Sequence, residues 1–105
     1  MATSIIKSGN MQSFYLGEVA TYTFNVPANY RGVMFIATSN SAYQGAWIIS
    51  MGNNGVLYSL EIVTGGKLSI SNPENYKMTI TQADTPRGLR VGFLNLTNIA
   101  VSAST

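Results

Sequence analysis

Ala20-Thr21-Tyr22-Thr23-Phe24-Asn25-Val26 is apolar at every even position and polar at every odd one. A period of two places one set of side chains on each face of a β-strand. Tyr76-Lys77-Met78-Thr79-Ile80-Thr81 repeats the pattern, so both segments read as half-buried strands. The segments at 33–36, 46–51, 56–63 and 89–96 are instead apolar on both faces. Val33 and Phe35 are read as the core-facing pair of their strand, with Met34 and Ile36 on its other face. Trp47, Ile49 and Met51 are backed by Ala46 and Ile48. Leu57 and Val63 stand opposite Val56, Tyr58, Leu60 and Ile62, and Leu94 and Leu96 stand opposite Leu89, Val91 and Phe93. One sheet-on-sheet core covers only one face of each strand. Met34, Ile36, Ile48, Leu57, Leu94 and Leu96 are therefore expected as apolar surface, each worth roughly 1.5–3 kcal/mol if a partner covers it. They are the candidate oligomer interface.

The 105 residues suit a single domain. Only 10% of them are charged, although 46% are apolar; a typical domain carries about 25% charge. Solubility then falls to Ser, Thr, Asn and Gln, as in extracellular and virion-surface β proteins. The net charge of +2 comes from Lys7, Arg31, Lys67, Lys77, Arg87 and Arg90, which are scattered along the chain. Nucleic-acid binding needs a patch that neutralises several phosphates together, so no nucleic-acid partner is expected. The absence of cysteine removes disulfides and thiolate chemistry. No run approaches the ~20 apolar residues of a membrane span, so membrane insertion is not expected. Met1 to Asn10 lacks the basic-then-apolar pattern of a secretion signal.

Turn signals recur at the spacing of a sandwich or barrel. They lie at Pro27–Gly32, Ser39–Gly45, Gly52–Gly55, Gly65–Gly66, Ser71–Asn75 and Ala83–Gly88. Asn54-Gly55 is the strongest hairpin signal and is read as a type I′ turn; Gly32 is read as a position of positive φ or close backbone approach. The strands expected between these turns are 19–26, 33–38, 46–51, 56–63, 67–71, 76–81 and 89–96, with a weaker one at 3–7. The fold class is all-β: a single antiparallel β-sandwich, jelly-roll-like, of about eight strands. Residues 1–18 are read as a lead-in, a stalk end or an edge strand, and residues 19–105 as the sandwich.

Catalytic chemistry has little to work with. There is no His, and the acids are Glu18, Glu61, Glu74 and Asp84. A Ser-His-Asp site and a His-ligated metal site are excluded. A carboxylate pair and an oxygen-only calcium site at Asn72, Glu74, Asn75 or Asp84 are conceivable on residue type, but the spacing matches no motif. The reading is a non-enzyme with no metal and no cofactor. Tyr22, Phe24, Phe35, Tyr58 and Phe93 are read as core, and so is Trp47. Tyr30 and Tyr43 sit in polar turns beside Arg31 and Gln44. Loop tyrosines among amides make adaptable recognition surfaces, so Tyr30, Arg31, Asn40, Tyr43 and Gln44 are the candidate receptor- or glycan-binding residues. Asn95-Leu96-Thr97 matches a glycosylation acceptor, but it lies within a strand.

From Tyr30 to Asn98 the chain resembles the C-terminal tip domains of phage and phage-like fibre proteins. The resemblance is carried by Gly32-Val33-Met34-Phe35-Ile36-Ala37-Thr38-Ser39, the polar loop after it, and Gly45-Ala46-Trp47-Ile48-Ile49. It continues through the Leu68-Ser69-Ile70-Ser71 and Met78-Thr79-Ile80-Thr81 pair to Val91-Gly92-Phe93-Leu94-Asn95-Leu96. It implies a homotrimeric β-sandwich head on a virion surface, meeting a host cell-surface glycan or protein. Outside that resemblance the composition implies an extracellular protein. A bacterial carbohydrate-binding module or lectin is the alternative, and a small glycan-active enzyme a third reading.

Overall fold

Two antiparallel sheets face each other across a dry core. The computed structural model describes residues 2–8 and 10–104, with side chains from residue 10 onward. The strands are β1 (Ala2–Ser8), β2 (Met11–Leu16), β3 (Thr21–Asn25), β4 (Arg31–Ala37), β5 (Gly45–Met51), β6 (Leu57–Thr64), β7 (Leu68–Ser71), β8 (Lys77–Gln82), β9 (Leu89–Asn95) and β10 (Ser102–Ala103). The large sheet runs β1-β2-β9-β4-β5-β6 and the small one β10-β3-β8-β7. Within the N-terminal segment, β1 is an edge strand and β2 sends Phe14 and Leu16 into the core. β2 pairs with β9 in one sheet and β3 with β8 in the other, the winding that begins a jelly roll. β5 and β6 then stay in the large sheet instead of crossing to the small one.

The two alternating segments become β3 and β8, paired so that Tyr22 and Phe24 lie beside Ile80 and Met78. Phe24 meets Phe14 at 5.1 Å, Phe93 at 5.2 Å and Tyr22 at 5.2 Å between ring centroids, all edge-to-face. Such pairs add about 0.5–1.5 kcal/mol each beyond the area they bury. This aromatic cluster ties β2, β3 and β9 together across the sheets.

β4 corrects the expected facing. Met34 and Ile36 are core residues, and Val33 and Phe35 point outward, Phe35 being 45% exposed. Arg31 begins the strand and cannot enter an apolar core, so positions in phase with it face solvent. Gly32 takes the inward phase because a Cβ there would fall 2.5 Å from the Leu94 carbonyl oxygen and against the Tyr30 ring. The close-approach form of the Gly32 reading is therefore the one found. In β6 a bulge opposite Ala46–Trp47 leaves Ile62 without a partner. It puts Tyr58, Leu60 and Val63 on one face and Leu57, Ser59 and Glu61 on the other, so Leu57 and Val63 do not share a face. Tyr58, read from sequence as core, is 61% exposed.

The 52–55 turn also differs from its expected type. Gly55 has φ of 84° while neither Asn53 nor Asn54 has a positive φ. Gly55 N–H donates to the Gly52 carbonyl and Gly52 N–H to that of Val56. This is the longer hairpin in which a left-handed glycine follows an ordinary turn. After β9 the chain turns through Asn98 (φ 55°) and crosses to the small sheet as β10.

Candidate functional site

The five candidate recognition residues do not converge. Tyr30 and Arg31 stand at the start of β4 and Asn40, Tyr43 and Gln44 beyond its end, separated by a seven-residue strand of roughly 20 Å. Tyr30 is fully buried, and its hydroxyl donates to Asn95 Oδ1 at 2.5 Å. Tyr43 is buried too, its hydroxyl directed at the Ala83 carbonyl and its ring beneath the Arg87 guanidinium at 5.1 Å. Neither ring is available to stack on a ligand, which corrects the sequence reading of both. A tyrosine at the end of a sandwich covers more apolar area by folding inward, provided its hydroxyl finds an acceptor. Arg31 donates through Nη1 to the carbonyls of Tyr30 and Met51, both at 2.9 Å, and so clamps the strand end. Asn40 Oδ1 accepts from Ala42 N–H at 3.0 Å and caps the single 3-10 turn, Ser41–Tyr43. Of the five, Gln44 and Arg31 are exposed.

Gln44 belongs to a groove that this loop does form. Gly65 N–H donates to the Gln44 carbonyl at 2.9 Å and Lys67 N–H to that of Ala42 at 3.0 Å. These bonds fasten the β4–β5 loop to the β6–β7 turn. Only glycine fits at position 65, where a Cβ would lie 2.6 Å from Ala42 Cα. The result is an open groove of about 390 Å³ lined by apolar Phe35, Ala46 and Val63 together with polar Ser41, Gln44 and Thr64. No charged side chain lines it. Phe35 and Val63 are the residues that sequence reasoning missed. The phase of Arg31 along β4 was the signal that could have found Phe35.

The remaining outer surface of the large sheet is apolar as well. A second, shallower depression of about 220 Å³ lies among Ile48, Ser50, Tyr58, Ser59 and Leu60. Of the six candidate interface residues, Ile48 and Leu96 are exposed, Leu57 and Leu94 half-buried, and Met34 and Ile36 are in the core. The last two are corrected by the phase of β4. Among the described residues the cations of this face are Arg31 and Arg90 at its two ends, Arg90 lying 5.3 Å over the Tyr15 ring.

Three of the four acids, Glu61, Glu74 and Asp84, lie on separate elements. Asp84 is paired with Lys67, and that carboxylate raises the Lys67 pKa. Glu61 is exposed on β6, while Glu74 lies in the β7–β8 turn, at the other end of β8 from Asp84. The Asn72 side chain serves main-chain groups: it accepts from Leu57 N–H at 3.0 Å and donates to the carbonyls of Glu74 and Lys77 at 2.8 and 2.7 Å. Among the described residues no group of three His, Cys, Asp or Glu is placed to hold a metal ion. Among them, too, no helix is long and apolar enough to cross a membrane. Asn95, of the glycosylation-like triplet, is buried.

No protein-family model matches the chain, and no curated protein matches it. A solved structure that it resembles is the tailspike protein gp49 from Acinetobacter baumannii bacteriophage Fri1, a capsular polysaccharide depolymerase, at 11% identity and a TM-score of 0.44. The match covers 97% of this chain and spans 21% of the tailspike chain.

Proposed function

We propose that the chain is a head domain of a bacteriophage fibre or related appendage, carried as a homotrimer on the virion surface, which attaches to host cell-surface glycan without turnover. The observation that carries the attachment is the open, uncharged groove at the Gln44 end of the sandwich. A pyranose ring offers C–H faces that pack on an aromatic ring and hydroxyls that pair with amides and hydroxyls. Phe35 supplies the first, and Gln44, Ser41 and Thr64 the second. A groove without ionisable side chains suits a neutral sugar. The scattering of Glu61, Glu74 and Asp84 supports binding over hydrolysis. The trimeric state comes from the fibre resemblance, and the apolar outer face supports self-association. A carbohydrate-binding module working as a monomer would use the same groove but leave that face in water.

Three copies of a weak site reach firm attachment through effective concentration. The test is binding of the assembled protein to an array of bacterial surface glycans, set beside a Ser41→Ala/Gln44→Ala variant of unchanged melting temperature. A loss of about tenfold or more is expected, since each lost hydrogen bond is worth about 0.5–1.5 kcal/mol. Equal binding by the variant, or none by the wild type, would overturn the reading.

A further inference from the structure

The two outer faces of the sandwich are opposite in chemistry. On the small sheet, β3, β8 and β7 turn Thr, Asn, Lys and Ser outward, with the Thr23 and Thr79 hydroxyls bonded at 2.7 Å. That face is built for water. On the large sheet the register aligns Met11, Leu94, Val33, Ile48 and Leu60 in one row across five strands. Seven of the eleven exposed large apolar side chains among the described residues stand on this one face. Soluble monomers rarely expose so large a contiguous apolar patch.

We infer that this face is where the copies of the chain pack against one another, turned towards the trimer axis, with the row from Met11 to Leu60 at the centre of the contact. The inference rests on the self-assembly part of the proposed function and adds the surface that performs it. Area is one argument for a second copy. At roughly 100 Å² for each half-exposed large side chain, the five that lie outside the Phe35–Val63 groove offer about 500 Å² per chain, so two copies bury about 1,000 Å² between them, the lower bound for a specific interface. Charge is the other. The row itself is uncharged, and Arg31 and Arg90 stand beyond its two sides. Copies can meet through this row without burying an ion, and both arginines stay at a wet rim. The apolar centre and polar rim are the anatomy of an interface between copies. The groove at Phe35 and Gln44 lies at the corner of the face, beside the end loops, and stays open.

The protein has no cysteine, so introduced thiols report cleanly. Ile48→Cys and Leu60→Cys are compared with Ser69→Cys and Ser71→Cys on the polar side for their rate of maleimide labelling, at a concentration where light scattering gives the mass. Ile48 and Leu60 are 43% and 62% exposed in the single chain, so without a partner they label about as fast as the serine positions. The expected result is an oligomer in which labelling at 48 and 60 is at least tenfold slower. An oligomer in which all four positions label alike would overturn this interface and leave self-assembly standing. A wild-type monomer at high concentration would overturn both. Leu60→Asp, on an edge strand outside the core, is expected to yield a folded monomer; if it is still an oligomer, the surface is wrong.

Discussion

Tyr30 is the residue on which the closed end of the sandwich depends. Its hydroxyl donates to Asn95 Oδ1, Asn95 Nδ2 donates to Gln12 Oε1, and Gln12 Nε2 donates to the Val101 carbonyl. Val101 N–H returns a bond to Gln12 Oε1 at 2.9 Å. The chain of bonds joins β2, β4, β9 and the last turn, and every buried side-chain polar atom among the described residues has a partner. Tyr30→Phe would strand Asn95 Oδ1 without a donor, an expected cost of about 1–3 kcal/mol. That should read as a fall in melting temperature of several degrees. Burial pushes the Tyr30 phenol well above its ordinary value of 10.0. The fold therefore holds Tyr30 neutral, and its share of stability is intact below pH 10. It declines as pH rises past that value, because the unfolded phenol ionises first. The alkaline limb of a stability–pH curve should be shallower in Tyr30→Phe than in the wild type.

At the scale of elements, β3 and β8 were legible because one of their faces is Thr, Asn or Lys throughout. The phase of β4 was not, since Val33, Met34, Phe35 and Ile36 satisfy either facing and hydrophobicity alone cannot choose. Arg31 and Gly32 at its start decide the matter, one by charge and the other by the room it leaves. β6 was obscured differently: its bulge changes the phase in mid-strand, and no Gly or Pro marks the place. The recognition residues failed for a related reason, because a polar turn says where the backbone goes and not where a large ring points. Paired truncations test the phase of β4. Met34→Ala should cost about 2–5 kcal/mol as a core cavity. Phe35→Ala, with its ring already half in water, should cost under about 1 kcal/mol in dilute, unassembled protein. Similar losses from chemical denaturation of both would reverse the assignment.

For the molecule as a whole, the class of architecture was readable from turn spacing and alternation, and the order of strands within the sheets was not. Strand order depends on pairings between distant segments, such as Met11 with Leu94, which leave no local mark. The excess of apolar strand surface was readable in outline because the chain carries more of it than one core can use. Which side chains form the exposed face had to await the two phases. Groove and row occupy the corner and the centre of one sheet, so the proposed attachment and assembly would share a scaffold while using separate residues.

The position of β9 has a consequence for how the molecule is born. β9 lies between β2 and β4 and pairs with both, yet the ribosome makes it after both of them and after β5 to β8. Until it emerges, the large sheet is two fragments, β1–β2 and β4–β5–β6, with a strand-wide gap between them. Every earlier stage of synthesis leaves the edges of β2 and β4 open and Phe14 and Met34 without Phe93. Folding should then be nearly all-or-none and late, in the millisecond-to-second range typical of β-sandwiches with distant pairings. Nascent chains arrested before Leu89 should remain sensitive to protease, while those in which Asn95 has cleared the exit tunnel become resistant in a single step. The strand that latches the sheet thus acts as an inspection point, admitting to the folded population only chains translated past it.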